Sequence, residues 1–376
     1  MSNIPFVDLA TQYERLKQDI DAGIQRVLEH GRFIMGPEVS ELEAALCEFA
    51  GCRHAITCAS GTDALSMALM AEGIGPGDAV FLPAFTFTAS AEVVLLAGAE
   101  PVFVDVEPRS FNLDPGHLRE QIEATTREGR LRPHAIIAVD LFGLPADHAA
   151  IADVADERDL FVIADAAQSF GGRIGEARVG THAPVTATSF YPAKPLGCFG
   201  DGGAVFTDDD DRADVLRSIR THGEGTGQHE IVRIGLNGRL DTMQAAILLP
   251  KLAVFASELE ARARLADRYD QRLAGAVTTP IREAGKSSAW AQYSILLDDR
   301  DRVQQALRTA GIPSAIYYPI PMHLQPAYAA YGRGEGSLPV SEALSKRILS
   351  LPMHPYLDDA TADRICDTVL AAVGGA

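Results

Sequence analysis

Leu9, Tyr13, Leu16, Ile20, Ile24 and Val27 recur at spacings of three and four, which predicts an amphipathic helix near the start of the chain. Val39, Leu42, Leu46 and Phe49 keep the same period and predict a second helix. The pattern then changes. Short apolar runs alternate with helical stretches: HAITC before SGTDALSMALMAEG, AVFLP before FTASAEVVLLAG, then PVFVDV, AIIAVDLFG ahead of a helix at 145–158, and LFVIADAA. TATSF and GAVFT bring the set to about seven strands. Strands joined by helices predict a doubly wound, mostly parallel α/β sheet. From about residue 241 one long helical stretch follows, with no breaker but Pro250. Strand-like AWAQYSILL, a helix at 301–311, the Pro- and Tyr-rich IPSAIYYPIPMHLQPAY and a terminal helix complete the chain. The expected division is a large domain over 1–250 and a smaller α+β domain over 251–376.

Composition narrows the function classes. Hydrophobic residues at 47% and charged ones at 22% of 376 residues are ordinary for a globular protein. The net charge of -18 argues against a nucleic-acid partner, which needs a basic face. It also means that an anionic ligand must be held by local donors against the general repulsion. The start, MSNIPFVDLATQYERLKQD, lacks the basic and apolar segments of a signal peptide, and the later apolar runs are short, so no membrane span is expected. Cys47, Cys52, Cys58, Cys198 and Cys366 form no C-x-x-C pair; reduced thiols in a cytoplasm and no metal site are expected. The acidic run at 208–211 is expected at a helix N-terminus, where the macrodipole favours acids. His222 and His229 flank the glycine-rich HGEGTGQH, which reads as a mobile surface loop.

Three stretches carry chemistry. In CASGTDAL a strand ends and a helix begins; free N–H groups at such an N-terminus hold phosphate, and Gly61 allows close approach. A plain N-cap by Ser60 or Thr62 explains the same residues. No G-K-[ST] follows, and no G-x-G-x-x-G follows the first strand, which disfavours a P-loop and a nicotinamide enzyme. In FVIADAAQSFGG, Asp165 ends an apolar strand, at the edge where open α/β sheets bind ligands. It is either a buried carboxylate with a cationic partner or a helix cap. In SFYPAKPLGCFGDGGAVF, Lys194 lies on a loop constrained by Pro192 and Pro195, with Ser189 at the preceding strand end. A phosphate cradle, a strand-end aspartate and a loop lysine are the parts a pyridoxal phosphate enzyme requires, and Phe87 in PAFTFTAS offers an aromatic cover for the ring.

Those stretches, together with FIMGPEVSELE, HGEGTGQHEIVRIGLNGRLDTMQAAIL and YYPIPMHLQPAY, resemble the DegT/StrS family of sugar aminotransferases over nearly all of the chain. The resemblance is closest to the branch that aminates C3 of a UDP-linked 2-acetamido-3-keto uronic acid. It implies the aspartate-aminotransferase fold (PLP fold type I), pyridoxal 5'-phosphate as cofactor, and a homodimer with shared active sites. By resemblance, Lys194 would carry the cofactor covalently and Asp165 would face its pyridine nitrogen. Gly61, Thr62 and Ser189 would hold the phosphate, Phe87 would stack on the ring, and Gln168 would lie near the phenolic oxygen. Asn237 would reach the phosphate of the other subunit. Arg239, His323 and Arg32 are the candidates for substrate binding; Arg239 and His323 each have a structural explanation as well, as a partner for a neighbouring carboxylate or a turn residue.

The function expected is therefore transfer of an amine from an amino acid, glutamate in the first instance, to a nucleotide-linked keto sugar for surface polysaccharide such as lipopolysaccharide O-antigen. The alternatives are the same chemistry on a dTDP-3-keto- or 4-keto-6-deoxyhexose, and a non-catalytic homologue that binds cofactor and sugar for regulation. An intact Lys194 and Asp165 weigh against the second.

Overall fold

The apolar runs that predict strands do so because their strands are buried on both faces. In the computed structural model, which describes residues 4–227 and 229–374, neighbours along a strand alternate between two cores. Val80, Leu82, Ile137 and Val139 pack on one side of the main sheet; Ala79, Phe81, Ile136 and Ala138 pack on the other. The elements that build this sheet are α1 (Leu9–His30), α2 (Pro37–Ala50), β1 (His54–Cys58), α3 (Gly61–Ala71), β2 (Asp78–Pro83), α4 (Ala89–Leu96) and β3 (Glu100–Val104). They continue with α5 (Pro115–Glu128), β4 (Arg132–Val139), α6 (His148–Asp156), β5 (Phe161–Asp165), the short β6 (Arg173–Ile174) and β7 (Ala177–Arg178), β8 (Val185–Ser189), β9 (Gly203–Thr207) and α7 (Asp210–Arg220).

The sheet has seven strands in the order β1-β9-β8-β5-β4-β2-β3. Strands β3, β2, β4, β5 and β8 pair in parallel, and β9 runs antiparallel between β8 and β1. That makes the mostly parallel, doubly wound sheet expected. It also gathers the carboxyl ends of β1, β2, β4, β5 and β8 along one edge, the edge that positions ligands in such folds.

The long helix α8 (Thr242–Leu273) is continuous through Pro250, so the expected 250/251 division falls inside it. Its first half packs Ala245, Leu248, Leu252 and Phe255 against Val39, Leu42 and Leu46 of α2. Its second half packs Leu265, Tyr269 and Leu273 in another core with later elements. These are β10 (Lys286–Ser287), β11 (Tyr293–Leu296), α9 (Arg300–Thr309), α10 (Pro339–Arg347), β12 (Ile348–Leu351) and α11 (Asp359–Gly374), with β11 and β12 paired antiparallel. By length and hydropathy α8 could cross a membrane, yet half of its apolar window is buried and its apolar side chains fill these cores.

One expectation changes and another gains detail. The strand expected over 289–297 shortens to β11, because Ala289 and Gln292 donate their N–H groups to the carbonyls of Gly143 and Phe142 instead of to a sheet partner (2.9 and 3.3 Å). The segment read as a mobile surface loop folds back on itself. Val232 N–H donates to Gly223, Gly225 N–H to Glu230, and Thr221 pairs with Asn237, a narrow antiparallel hairpin. Of the acidic run at 208–211, Asp209 caps α7 by accepting from Arg212 N–H, with Asp210 and Asp211 in the first turn.

Candidate active site

The phosphate-type cradle forms where β1 hands over to α3. Ser60 is the N-cap: its hydroxyl accepts from Asp63 N–H at 3.0 Å, so that alternative holds for Ser60. The N–H groups of Gly61 and Thr62 donate to no described residue, which leaves two first-turn donors free for an anion. Ser189, at the end of β8, closes against this turn. A Cβ on Gly61 would sit 2.6 Å from the Ser189 Cβ, so only glycine lets the two segments meet. In register, Gly203 lies between Cys58 and Ser189, and this pairing through β9 holds the two sides of the cradle together.

Asp165 ends β5 at the same edge and is 7% exposed. Its Oδ2 accepts from the Ser90 hydroxyl at 2.9 Å and its Oδ1 from Ala167 N–H at 3.1 Å. Burial pushes the Asp165 carboxyl above its ordinary value, opposed by those two bonds and by the nearby Lys194 ammonium. Lys194 is half-buried on the loop after β8, its N–H bonded to the Tyr191 carbonyl at 2.8 Å. Burial pushes its ammonium down, opposed by Asp165. Nζ of Lys194 hydrogen-bonds to no described residue.

Behind Asp165 lies a second buried carboxylate that the sequence did not single out. Asp140 follows β4, donates its N–H to the Asp165 carbonyl, and accepts from Ser169 Oγ and Ala146 N–H while meeting His148 Nε2 at 2.8 Å. Burial pushes the Asp140 carboxyl up, but the His148 ring and the hydrogen bonds from Ala146 and Ser169 outweigh it and hold the group below its ordinary value. Gln168 is buried one turn after Asp165. Its Oε1 accepts from Phe142 N–H at 2.6 Å and its Nε2 donates to Tyr318 Oη at 3.2 Å. Phe87 is 52% exposed, its ring resting on Tyr318 with centroids 6.3 Å apart, so one aromatic face stays open. Besides Asp140, Ser90 and Tyr318 are thus residues at the candidate site that sequence reading missed. Each stands within a stretch already marked, Ser90 in PAFTFTAS and Tyr318 in YYPIPMHLQPAY.

The substrate candidates separate. Arg239 is half-buried with Nε enclosed and no acceptor, and it pairs with no described carboxylate or carbonyl, Asp165 and Asp241 included. Arg32 is exposed; the Ile34–Asp241 bridge sets its segment beside that of Arg239. His323 is 1% exposed and meets Glu342 Oε1 at 3.0 Å, the environment of a packed turn residue. Asn237 is exposed, and its side chain hydrogen-bonds to none of Gly61, Thr62 or Ser189 within the chain.

The residues fit pyridoxal 5'-phosphate: free N–H donors and Ser189 for the phosphate, a buried strand-end carboxylate for the ring nitrogen, an open aromatic face and a lysine with an unengaged Nζ. Comparison with known proteins agrees. The model of the DegT/DnrJ/EryC1/StrS aminotransferase family matches residues 14–370. The chain is 49% identical over 364 residues to the UDP-2-acetamido-2-deoxy-3-oxo-D-glucuronate aminotransferase of Pseudomonas aeruginosa, covering 96% of this chain and 98% of that one. It is 41% identical to the UDP-N-acetyl-3-dehydro-alpha-D-glucosamine 3-aminotransferase of Acidithiobacillus ferrooxidans, covering 99% and 98%. The crystal structure of a DegT DnrJ EryC1 StrS aminotransferase from Brucella abortus superposes with a TM-score of 0.96 at 55% identity, covering 97% of this chain and 98% of that one. The chain belongs to the DegT/DnrJ/EryC1/StrS aminotransferase family, and is a pyridoxal-phosphate-dependent sugar aminotransferase of the aspartate-aminotransferase fold.

Proposed function

We propose that this enzyme moves an amine from glutamate to C3 of UDP-2-acetamido-2-deoxy-3-keto-glucuronic acid, in the cytoplasm, on the way to a surface polysaccharide such as lipopolysaccharide O-antigen. The observation that carries the uronate reading is Arg239. A guanidinium partly enclosed without a carboxylate partner is costly unless a ligand completes it, and its planar fork suits a carboxylate. The likeness to the Pseudomonas enzyme supports the same substrate. The likeness to the Acidithiobacillus enzyme names the competitor, a sugar without the carboxylate.

When bound, pyridoxal phosphate supplies an electron sink for the pair released as a substrate C–H bond breaks. The chain does the rest. Gly61, Thr62 and Ser189 would anchor the phosphate, Phe87 would cover the ring, and Gln168, fixed by Phe142 and Tyr318, would meet the phenolic oxygen. Asp165 would keep a proton on the ring nitrogen; a cation there restores the charged carboxylate that burial alone disfavours. Lys194 would hold the cofactor and, once freed, carry a proton to and from the substrate carbon on Nζ. Its depressed pKa suits that task, because a proton carrier works best near neutrality. Arg32 would add a second cation at the mouth of the site, and His323 would act through the turn that it and Glu342 hold.

The discriminating experiment is glutamate-dependent amination of a panel of UDP- and dTDP-linked keto sugars. The wild type is expected to prefer the keto-uronate, and Arg239→Lys to shift that preference toward the neutral sugar by about ten- to a hundred-fold, the scale of one charge-assisted contact. A wild type that prefers a neutral sugar overturns the uronate assignment. Equal losses on both sugars would make Arg239 structural.

The active unit proposed is a homodimer in which Asn237 completes the partner's phosphate site. The exposed apolar side chains of Phe33, Ile34, Ile231, Val232 and Ile234 support it, since they belong to the segments flanking Asn237 and Arg239. Mixing Lys194→Ala subunits with Asn237→Asp subunits is expected to restore activity, because one site in each heterodimer is then intact. Heterodimers that form and stay inactive would exclude shared sites.

A further inference from the structure

The loop bearing Lys194 is tied to α8 by a lysine that the proposed chemistry does not use. Lys251 is wholly buried, and its Nζ donates to the Gly197 carbonyl at 2.7 Å. That carbonyl has no other donor among the described residues. The same Nζ lies 4.2 Å from the centroid of the Phe199 ring. Two turns earlier on α8, Gln244 accepts from Phe199 N–H at 2.8 Å. The turn between is tight: a Cβ on Gly197 would sit 2.5 Å from the Pro192 carbonyl oxygen, so residues 192–197 close on themselves around Lys194. Cys198 N–H then returns to the Phe190 carbonyl at 2.8 Å.

A buried ammonium with one hydrogen bond among the described residues is an expensive choice for a helix core; a methionine would fill the same space without desolvating a charge. The arrangement makes sense if the loop's position matters more than the helix's stability. We infer that Lys251 is a positioning residue for Lys194: by holding the Gly197 carbonyl while its ammonium lies against the Phe199 ring, it sets the loop that presents the Lys194 amine. The inference rests on the proposed role of Lys194.

The charged and titratable groups around Lys251 are few. On its own helix Glu258 stands two turns further on, and from the loop the Cys198 thiol faces it, with Asp201 acting on that thiol. From α1, Tyr13 meets the Phe199 ring edge-on, backed by Lys17 and Asp21. Burial outweighs the attraction of Cys198 and Glu258 and pushes Lys251 down to about 8. A neutral amine still donates to the Gly197 carbonyl, but more weakly than an ammonium, so the clamp loosens as pH rises through that value.

The test is Lys251→Met in the holoenzyme. Borohydride should still fix the cofactor to Lys194. The value of kcat should fall by about ten- to a hundred-fold with KM nearly unchanged, as expected when a reacting group is displaced by about an ångström. The pH midpoint of the cofactor's visible band should move, and amide exchange at 190–201 should quicken while α8 keeps its protection. Wild-type kcat and band midpoint in a folded Lys251→Met protein would overturn the role. If that variant does not fold, the wild type serves. Its exchange at 190–201, corrected for intrinsic rates, should lose part of its protection between about pH 6.5 and about pH 9.5, either side of the Lys251 value, as the charge-assisted bond to Gly197 weakens. Unchanged protection overturns the proposal. Borohydride fixation away from Lys194 in the wild type overturns the reading beneath it.

Discussion

Lys194→Ala is expected to abolish turnover while leaving the protein folded. The side chain is half-buried, hydrogen-bonds to no described residue through Nζ, and meets unfavourable desolvation, so trimming it removes no hydrogen bond, and the lost attraction to Asp165 is offset by the relieved desolvation. The loop's backbone ties, Lys194 N–H to Tyr191 and Cys198 N–H to Phe190, remain. Proton transfer by a positioned group contributes about 10²–10⁴-fold, and the covalent hold on the cofactor is lost as well, so kcat should fall by at least about 10³-fold. Borohydride followed by peptide mapping should label the 189–206 segment in the wild type and nothing in the variant. Thermal melting of the two apo proteins should nearly coincide. A variant that still binds cofactor covalently, or that turns over at a tenth of the wild-type rate, excludes Lys194 as the carrier.

Much of the candidate site was legible because each part stands where an apolar run stops. Cys58, Asp165 and Ser189 end strands buried on both faces, and a polar residue at such a boundary needs a reason. The order of the strands was not legible. Nothing in GAVFT says that it will run antiparallel between β1 and β8, although that insertion is what joins Gly61 to Ser189. The supporting residues were hidden for a related cause. Ser90 reaches Asp165 across 75 positions and Tyr318 reaches Gln168 across 150, contacts fixed by the packing of the sheet and not by local pattern. Lys251 shows the limit most plainly. A lysine in a helical stretch is ordinarily exposed, and only the fold reveals that this one is covered by the Lys194 loop. Arg239 lies between these extremes: its segment was marked, but its lack of a partner is visible only in three dimensions.

Asp165→Asn is expected to separate catalysis from stability, with opposite signs. In the cofactor-loaded enzyme, kcat should fall by about 10²–10³-fold, the scale on which a preorganised electrostatic partner acts. An amide can still accept from Ser90 or Ala167, but it cannot balance a protonated ring nitrogen. In the apo protein the same change should stabilise. Burial raises the Asp165 carboxyl above its ordinary value of 3.8, so the folded chain prefers the neutral form and the unfolded chain does not. The sign follows from linkage. Below 3.8 both states are protonated and the carboxylate costs nothing; above it, the unfolded state ionises first and wild-type apo stability declines relative to the variant. The gain in melting temperature of apo Asp165→Asn over apo wild type should therefore be absent in strong acid, grow through the carboxylate range, and level off above the raised folded value. Saturating the wild type with pyridoxal phosphate should erase the gain, because a cation at the ring nitrogen gives the buried carboxylate its partner. If apo Asp165→Asn melts below the wild type at neutral pH, the carboxylate is a structural cap held by Ser90 and Ala167, and its place at the strand end is not what the chemistry uses.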